Sequence, residues 1–207
     1  MSGPFFSVIV PVHSEPNVII PCLQSIGNQH FDDFETIYVC DNCTDETIQT
    51  VKGYLPDKLI ITNYGMDGLA RNAGIDAAEG EWILFLDDDD WWMHEYVLDE
   101  IWKVAWFFGE EFDMIVFDFI WKGQGYTSVK AEELNIAVWS KAFKRELIGE
   151  TRFPGIRMTS DRPFMEKIVA KKPRTYSMKK LMYYYNYLRK GSQTEQYNAR
   201  REESAGD

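Results

Sequence analysis

The chain has 207 residues, 15% of them aromatic, and a formal net charge of −11, from 22 Lys and Arg against 33 Asp and Glu. That length serves one compact domain with a real core, and the acidic balance argues against a general nucleic-acid binder, though not against one locally basic groove. Three cysteines, an odd number, fit a reducing cytoplasm rather than a disulfide framework.

In chain order, Phe5 to Val12 reads as a strand closed by Pro11, with Ser14 as the N-cap of a helix over 17–28 that carries Val18, Cys22 and Ile26 on one face. Glu35 to Cys40 is a second strand, and Thr44 or Asp45 opens a helix to about Leu55. Lys58 to Thr62 is the third strand, Gly68 to Ala78 a short helix, and Trp82 to Leu86 the fourth strand. This alternation predicts an α/β fold, a mostly parallel sheet with helices on both faces. A helix over 96–108 and a strand over 113–121 follow, after which the alternation weakens. Gly123-Gln124-Gly125 is a turn, 140–148 and 161–171 are helices, 174–178 and 182–188 are strands, and a polar tail begins at Gly191. With no repeat or linker, the expectation is one domain over 1–207, with a donor half to about 110, an acceptor half over about 111–190 and a tail over 191–207. Nothing here has the length of a membrane span, and the residues after Met1 lack the basic opening of a signal peptide.

The strand Trp82-Ile83-Leu84-Phe85-Leu86 delivers Asp87, Asp88, Asp89 and Asp90 to its carboxyl end. Clustered carboxylates are unfavourable unless a cation compensates, and ligands of open α/β sheets bind beyond the carboxyl ends of strands. A solvated charge run seldom ends a wholly apolar strand. An EF-hand loop needs glycine at its sixth position, where Trp92 stands. What remains is an Asp-x-Asp pair holding a divalent cation against a nucleotide diphosphate.

Further segments stand in order along the chain. They are Ser7 to Val12, Cys22-Leu23-Gln24-Ser25-Ile26 with Gln29, and Gly68-Leu69-Ala70-Arg71-Asn72-Ala73-Gly74-Ile75 leading to the Asp run. Trp139 to Leu147, then Tyr183-Tyr184-Tyr185 with Arg189 and Ser192, complete the pattern. Together they resemble glycosyltransferase family 2, with the GT-A (Rossmann-like) fold and a small C-terminal acceptor-side region, over roughly residues 5 to 195. The resemblance implies inverting transfer from a nucleotide-diphosphate sugar, a UDP-sugar, to the hydroxyl of a carbohydrate or glycoconjugate acceptor. It implies Mn2+ or Mg2+ on Asp87 and Asp89, Asp161 as catalytic base, and donor contacts from Pro11, His13, Glu15, Asp41, Gly68, Arg71, Asp87, Asp88, Arg189 and Ser192. Asp41 would accept from uracil, the competing role being a cap for the next helix. Arg71 at a helix N-terminus suits pyrophosphate or ribose, against the plainer reading of a surface arginine.

The chain departs from the family pattern at Ser160, where a glutamate precedes the base, and at Asp88, a position commonly serine. It departs also at Cys40-Asp41-Asn42-Cys43 and at His13. A silent nucleotide-sugar-binding module is the competing class, and a nucleic-acid base or a protein are the competing acceptors. A nucleotidyltransferase would need a glycine-rich loop that 12–17 lacks. The expected location is cytoplasmic, peripheral to the inner membrane face if membrane-bound at all.

Overall fold

The computed structural model describes residues 3–108, 110–129, 136–187 and 195. β1 (Phe6–Val12) is buried at every position, as a parallel strand covered on both faces must be. It pairs in parallel with β2 (Phe34–Asp41) and with β4 (Trp82–Phe85), and β2 pairs in parallel with β3 (Lys58–Thr62). The connecting helices are α1 (Pro16–Gly27), α2 (Asp45–Gly53) and α3 (Asp67–Ala77). Ile19, Cys22, Leu23 and Ile26 of α1 enter the core, and the Thr44 side chain caps α2 by accepting from the Thr47 N–H. The expected α/β architecture, mostly parallel in this half, is what forms.

The second half continues the same sheet with mixed pairing. After β5 (Trp91–Trp92) and α4 (Val97–Phe108) come β6 (Met114–Trp121), β7 (Gly125–Thr127), a 3-10 turn (Val138–Ser140), β8 (Lys141–Lys144), α5 (Arg145–Ile148), α6 (Asp161–Ala170) and β9 (Thr175–Tyr185). Among the described residues the strand order is β3-β2-β1-β4-β8-β6-β9-β5, with β7 paired to β6. Gln29 ties the end of α1 to the start of α4, its amide donating to the His94 carbonyl at 2.9 Å and accepting from the Leu98 N–H at 3.0 Å.

Three expectations are corrected, and one strand is added. The N-cap of α1 is Glu15, followed by Pro16, because Ser14 is engaged elsewhere by Asp88. The helix expected over 140–148 is a strand and a short helix, since Ala142 and Phe143 insert between β4 and β6. The two strands expected after 174 are one, β9, whose ladder shifts register near Asp118 and which contains Lys179 at φ 46°. Trp91 and Trp92 form a strand against β9, and Trp91 stacks on Tyr184 at 4.2 Å.

Candidate active site

A cavity of about 520 Å³ opens at the carboxyl ends of β1 and β4. Its lining carries Asp67 and Arg71 from α3, Asp87 and Asp89 after β4, and Asp161 at the start of α6. It also carries the aromatic side chains Phe119, Trp121, Trp139, Tyr185 and Tyr187. Pro11 lines the cavity as well. It lies within β1 rather than in a turn, and has no N–H to leave unpaired where the ladder to β4 has already ended at Ile9.

The four aspartates make a turn, with the Asp90 N–H donating to the Asp87 carbonyl at 3.1 Å, and the turn gives alternate residues different tasks. Asp87 and Asp89 are half-buried at the cavity. Asp88 is 1% exposed and is turned toward the loop after β1, where it accepts from the His13 N–H (2.8 Å), the Ser14 N–H (2.8 Å) and the Ser14 hydroxyl (2.9 Å). The charge that looked surplus in the sequence thus anchors a loop. Asp90 is fully buried and accepts from the Tyr183 hydroxyl at 2.6 Å and the Asn186 N–H at 2.8 Å. Burial, with Asp89 and Asp87 adding, pushes its carboxyl well above the usual range against those two hydrogen bonds. Asp90 therefore fastens the turn to β9.

Arg71 is the hub. It is buried, and its guanidinium reaches Asp87 Oδ1 at 2.5 Å and Asp161 Oδ1 at 3.4 Å while lying over the Phe153 ring. Burial works against its charge, yet Asp87, Asp161 and Asp67 outweigh burial and raise its pKa. Burial likewise raises the Asp161 carboxyl above its ordinary value; Arg71 opposes that rise, Asp87 adds to it, and the Val138 N–H favours the ionised form. Asp161 is thus a half-buried carboxylate whose ionised form a neighbouring cation favours, an arrangement compatible with a general base. Ser160, beside it, makes no side-chain cap bond to α6.

Other expected residues fall variously. His13 lines the cavity, 3.7 Å from Asp88 and 4.0 Å from Asp67, and the Asp88 charge raises its imidazole pKa against burial. Glu15 is exposed and does not line the cavity. Asp41 does not line it either: it accepts from the Thr62 hydroxyl, the Tyr64 N–H and the Met66 N–H, holding the loop before α3, so it caps neither α2 nor an open pocket. Gly68 is a packing residue, where a Cβ would stand 3.0 Å from Phe153, Pro154 and Ser160. Asn72 joins the same contact by two 2.9 Å hydrogen bonds with Phe153. The Cys43 thiol donates to the Val12 carbonyl. Trp121 and Trp139 line the cavity, while Trp92 is buried away from its lining. Arg189 and Ser192 lie outside the described residues. Asp67 and Arg157, both at the cavity, were missed. Asp67 belongs to the first turn of α3, and an acidic first turn is a legible signal; Arg157 carries none.

The donor set fits a hard divalent cation held jointly with a substrate. Asp67, Asp87, Asp89 and Asp161 all line the cavity, and Arg71 is already shared between two of them. Among the described residues no three ligands converge into a cage. Mg2+ sites typically use one or two carboxylates and complete the shell with water and substrate phosphate. Among those residues, too, no helix is long and apolar enough to cross a membrane.

Comparison with known proteins agrees with this geometry. Residues 7–165 match the model of glycosyl transferase family 2. A PGL/p-HBAD biosynthesis glycosyltransferase of Mycobacterium bovis is 33% identical over 160 residues, covering 74% of this chain and 60% of the relative. The poly(ribitol-phosphate) β-N-acetylglucosaminyltransferase TarS of Staphylococcus aureus is 39% identical over 101 residues, covering 45% of this chain and 18% of TarS. A crystal structure of S. aureus TarS 1–349 with UDP-GlcNAc superposes with a TM-score of 0.76 at 28% identity, over 92% of this chain and 60% of that one. The chain thus spans about 60% of the length of the mycobacterial relative. The order of the strands, the Asp turn at the end of β4 and the sequence match agree: the chain belongs to glycosyltransferase family 2 and has the GT-A fold.

Proposed function

We propose that this chain carries an inverting, metal-dependent glycosyltransferase site that moves a sugar from a UDP-sugar to a hydroxyl of a carbohydrate or glycoconjugate acceptor. The observation that carries the reading is the buried Arg71, which joins Asp87 at the end of β4 to Asp161 at the start of α6 in the lining of one cavity. The GT-A fold and the TarS complexes with UDP and UDP-GlcNAc support the donor class. The mycobacterial relative's part in PGL/p-HBAD biosynthesis supports a glycoconjugate acceptor.

In this reading the donor occupies the half formed by residues 1–110, with His13 and Arg71 near its phosphates. Asp87 and Asp89 would hold Mn2+ or Mg2+, which supplies positive charge to the departing diphosphate. Trp121, Tyr185 and Tyr187 offer half-buried ring faces and edges to the apolar side of an acceptor sugar. Asp161 removes the proton from the acceptor hydroxyl as that oxygen bonds to the anomeric carbon. The bond from the anomeric carbon to the diphosphate oxygen breaks on the opposite face, its electron pair leaving with UDP. Arg71 restrains Asp161 and favours its ionised form throughout.

Calorimetry of UDP with and without Mn2+ tests the donor assignment. Wild type should bind UDP more tightly with Mn2+, and Asp89→Asn should lose that gain. An Asp89→Asn protein with the full Mn2+-dependent gain would refute the placement.

A further inference from the structure

Tyr183 is a fully buried ring with one polar side-chain atom, and that atom reaches the Asp turn. The ring stacks on Trp139 with centroids 4.5 Å apart. A phenylalanine would fill the same place and leave no hydroxyl to satisfy. Here the hydroxyl is used twice. It donates to Asp90 Oδ2 at 2.6 Å and accepts from the Asp87 N–H at 3.4 Å. The Asp90 carboxylate is itself fixed from the other side, since its Oδ1 accepts from the Asn186 N–H at 2.8 Å.

β9 thus holds both ends of the turn, Asp87 through the phenol and Asp90 through the phenol and the Asn186 N–H. Beyond Asp90 the grip continues: Trp91 and Trp92 pair with Tyr184 and Tyr183, and the Met93 N–H donates to the Met182 carbonyl at 2.9 Å. Between the anchored ends, Asp88 is pinned by the loop after β1. Asp87 and Asp89, which line the cavity, therefore stand on a backbone restrained on each side. Like charges at one site repel each other without a cation, and a loose turn would relax by separating them. A frame set beforehand spares an arriving cation the cost of ordering its ligands.

We propose that Tyr183 is a positioning residue for the cation pair: its hydroxyl, oriented by Asp90, fixes the Asp87 backbone so that the Asp turn is set before a cation arrives. This rests on the reading that Asp87 and Asp89 hold the cation against the donor diphosphate.

The test is calorimetry of UDP on the whole chain, with and without Mn2+, in wild type and Tyr183→Phe. The substitution removes one oxygen and keeps the ring on Trp139. UDP affinity without Mn2+ should stay within about twofold of wild type, while the Mn2+-dependent gain should fall by about tenfold or be abolished, the usual cost of losing a group that orients a metal ligand. A Tyr183→Phe protein with the full gain overturns the proposal. So does a fall in Mn2+-free affinity as large as the fall in the gain, which would mark general damage to the cavity. Tyr183→Phe could fail to fold, because it leaves the buried Asp90 charge short of a partner. The double variant Tyr183→Phe, Asp90→Asn then decides: it removes that charge, keeps an oxygen for the Asn186 N–H and should show the same selective loss, and a full gain in it overturns the proposal. A wild type with no Mn2+ gain refutes the cation reading itself, and this proposal with it.

Discussion

At the amino ends of β1 to β3, Glu35 is buried with both oxygens met: the Ser7 hydroxyl donates at 2.6 Å, the Glu79 N–H at 2.7 Å and the Lys58 ammonium at 2.8 Å. At the carboxyl ends, Asp87 and Asp161 share one guanidinium. Burial pushes the Glu35 carboxyl up, but the Lys58, Ser7 and Glu79 hydrogen bonds win and its pKa is lowered. Burial wins at Asp161, whose pKa is raised. The first cluster is saturated and closes the fold. The second has carboxylate capacity to offer a cation, a hydroxyl proton or a phosphate-bound ion, and it sits at the cavity.

The contrast can be broken from either end. Arg71→Ala, which strands two carboxylates beside each other, should have the largest effect on stability, about 3–5 kcal/mol lost, read by urea unfolding at pH 7. Gly80→Ala attacks the saturated end. Its Cβ would stand 2.5 Å from the Ser7 backbone nitrogen, so about 1–3 kcal/mol should be lost while UDP affinity of the folded protein stays at the wild-type value. Glu35→Gln is milder, about 1–2 kcal/mol at pH 7. Its pH dependence has a fixed sign: because the folded pKa is lowered, the Glu35 contribution is present above the unfolded value of about 4.3 and is lost as pH falls through the folded value. Thermal melts of wild type and variant should therefore converge in acid; a gap that persists unchanged would contradict the ion pair's role.

The strands of the first half were legible because their apolar runs sit between turn residues, and β4 announced its own ligands. The roles of Asp41 and Asp88 were not legible from local sequence, because their donors arrive from distant segments: 62–66 for Asp41 and 13–14 for Asp88. β8 was read as helix because Trp139 to Leu147 carries apolar residues compatible with either period, and only its place between β4 and β6 decides. β9 was split in two by its polar middle, where Lys179 takes a left-handed backbone. Asp161 looks like an ordinary helix opening; resemblance singled it out, and Arg71 gives it a physical reason.

The central claim is that Asp161 acts on the acceptor hydroxyl beside Asp87 and Asp89, which hold the donor through a cation. Asp161→Asn, assayed by UDP release from UDP-GlcNAc with Mn2+ and by UDP calorimetry, measures this directly. The account predicts UDP affinity within about threefold of wild type and turnover reduced by about a hundredfold or more. Turnover near the wild-type rate, with UDP still bound, would contradict it.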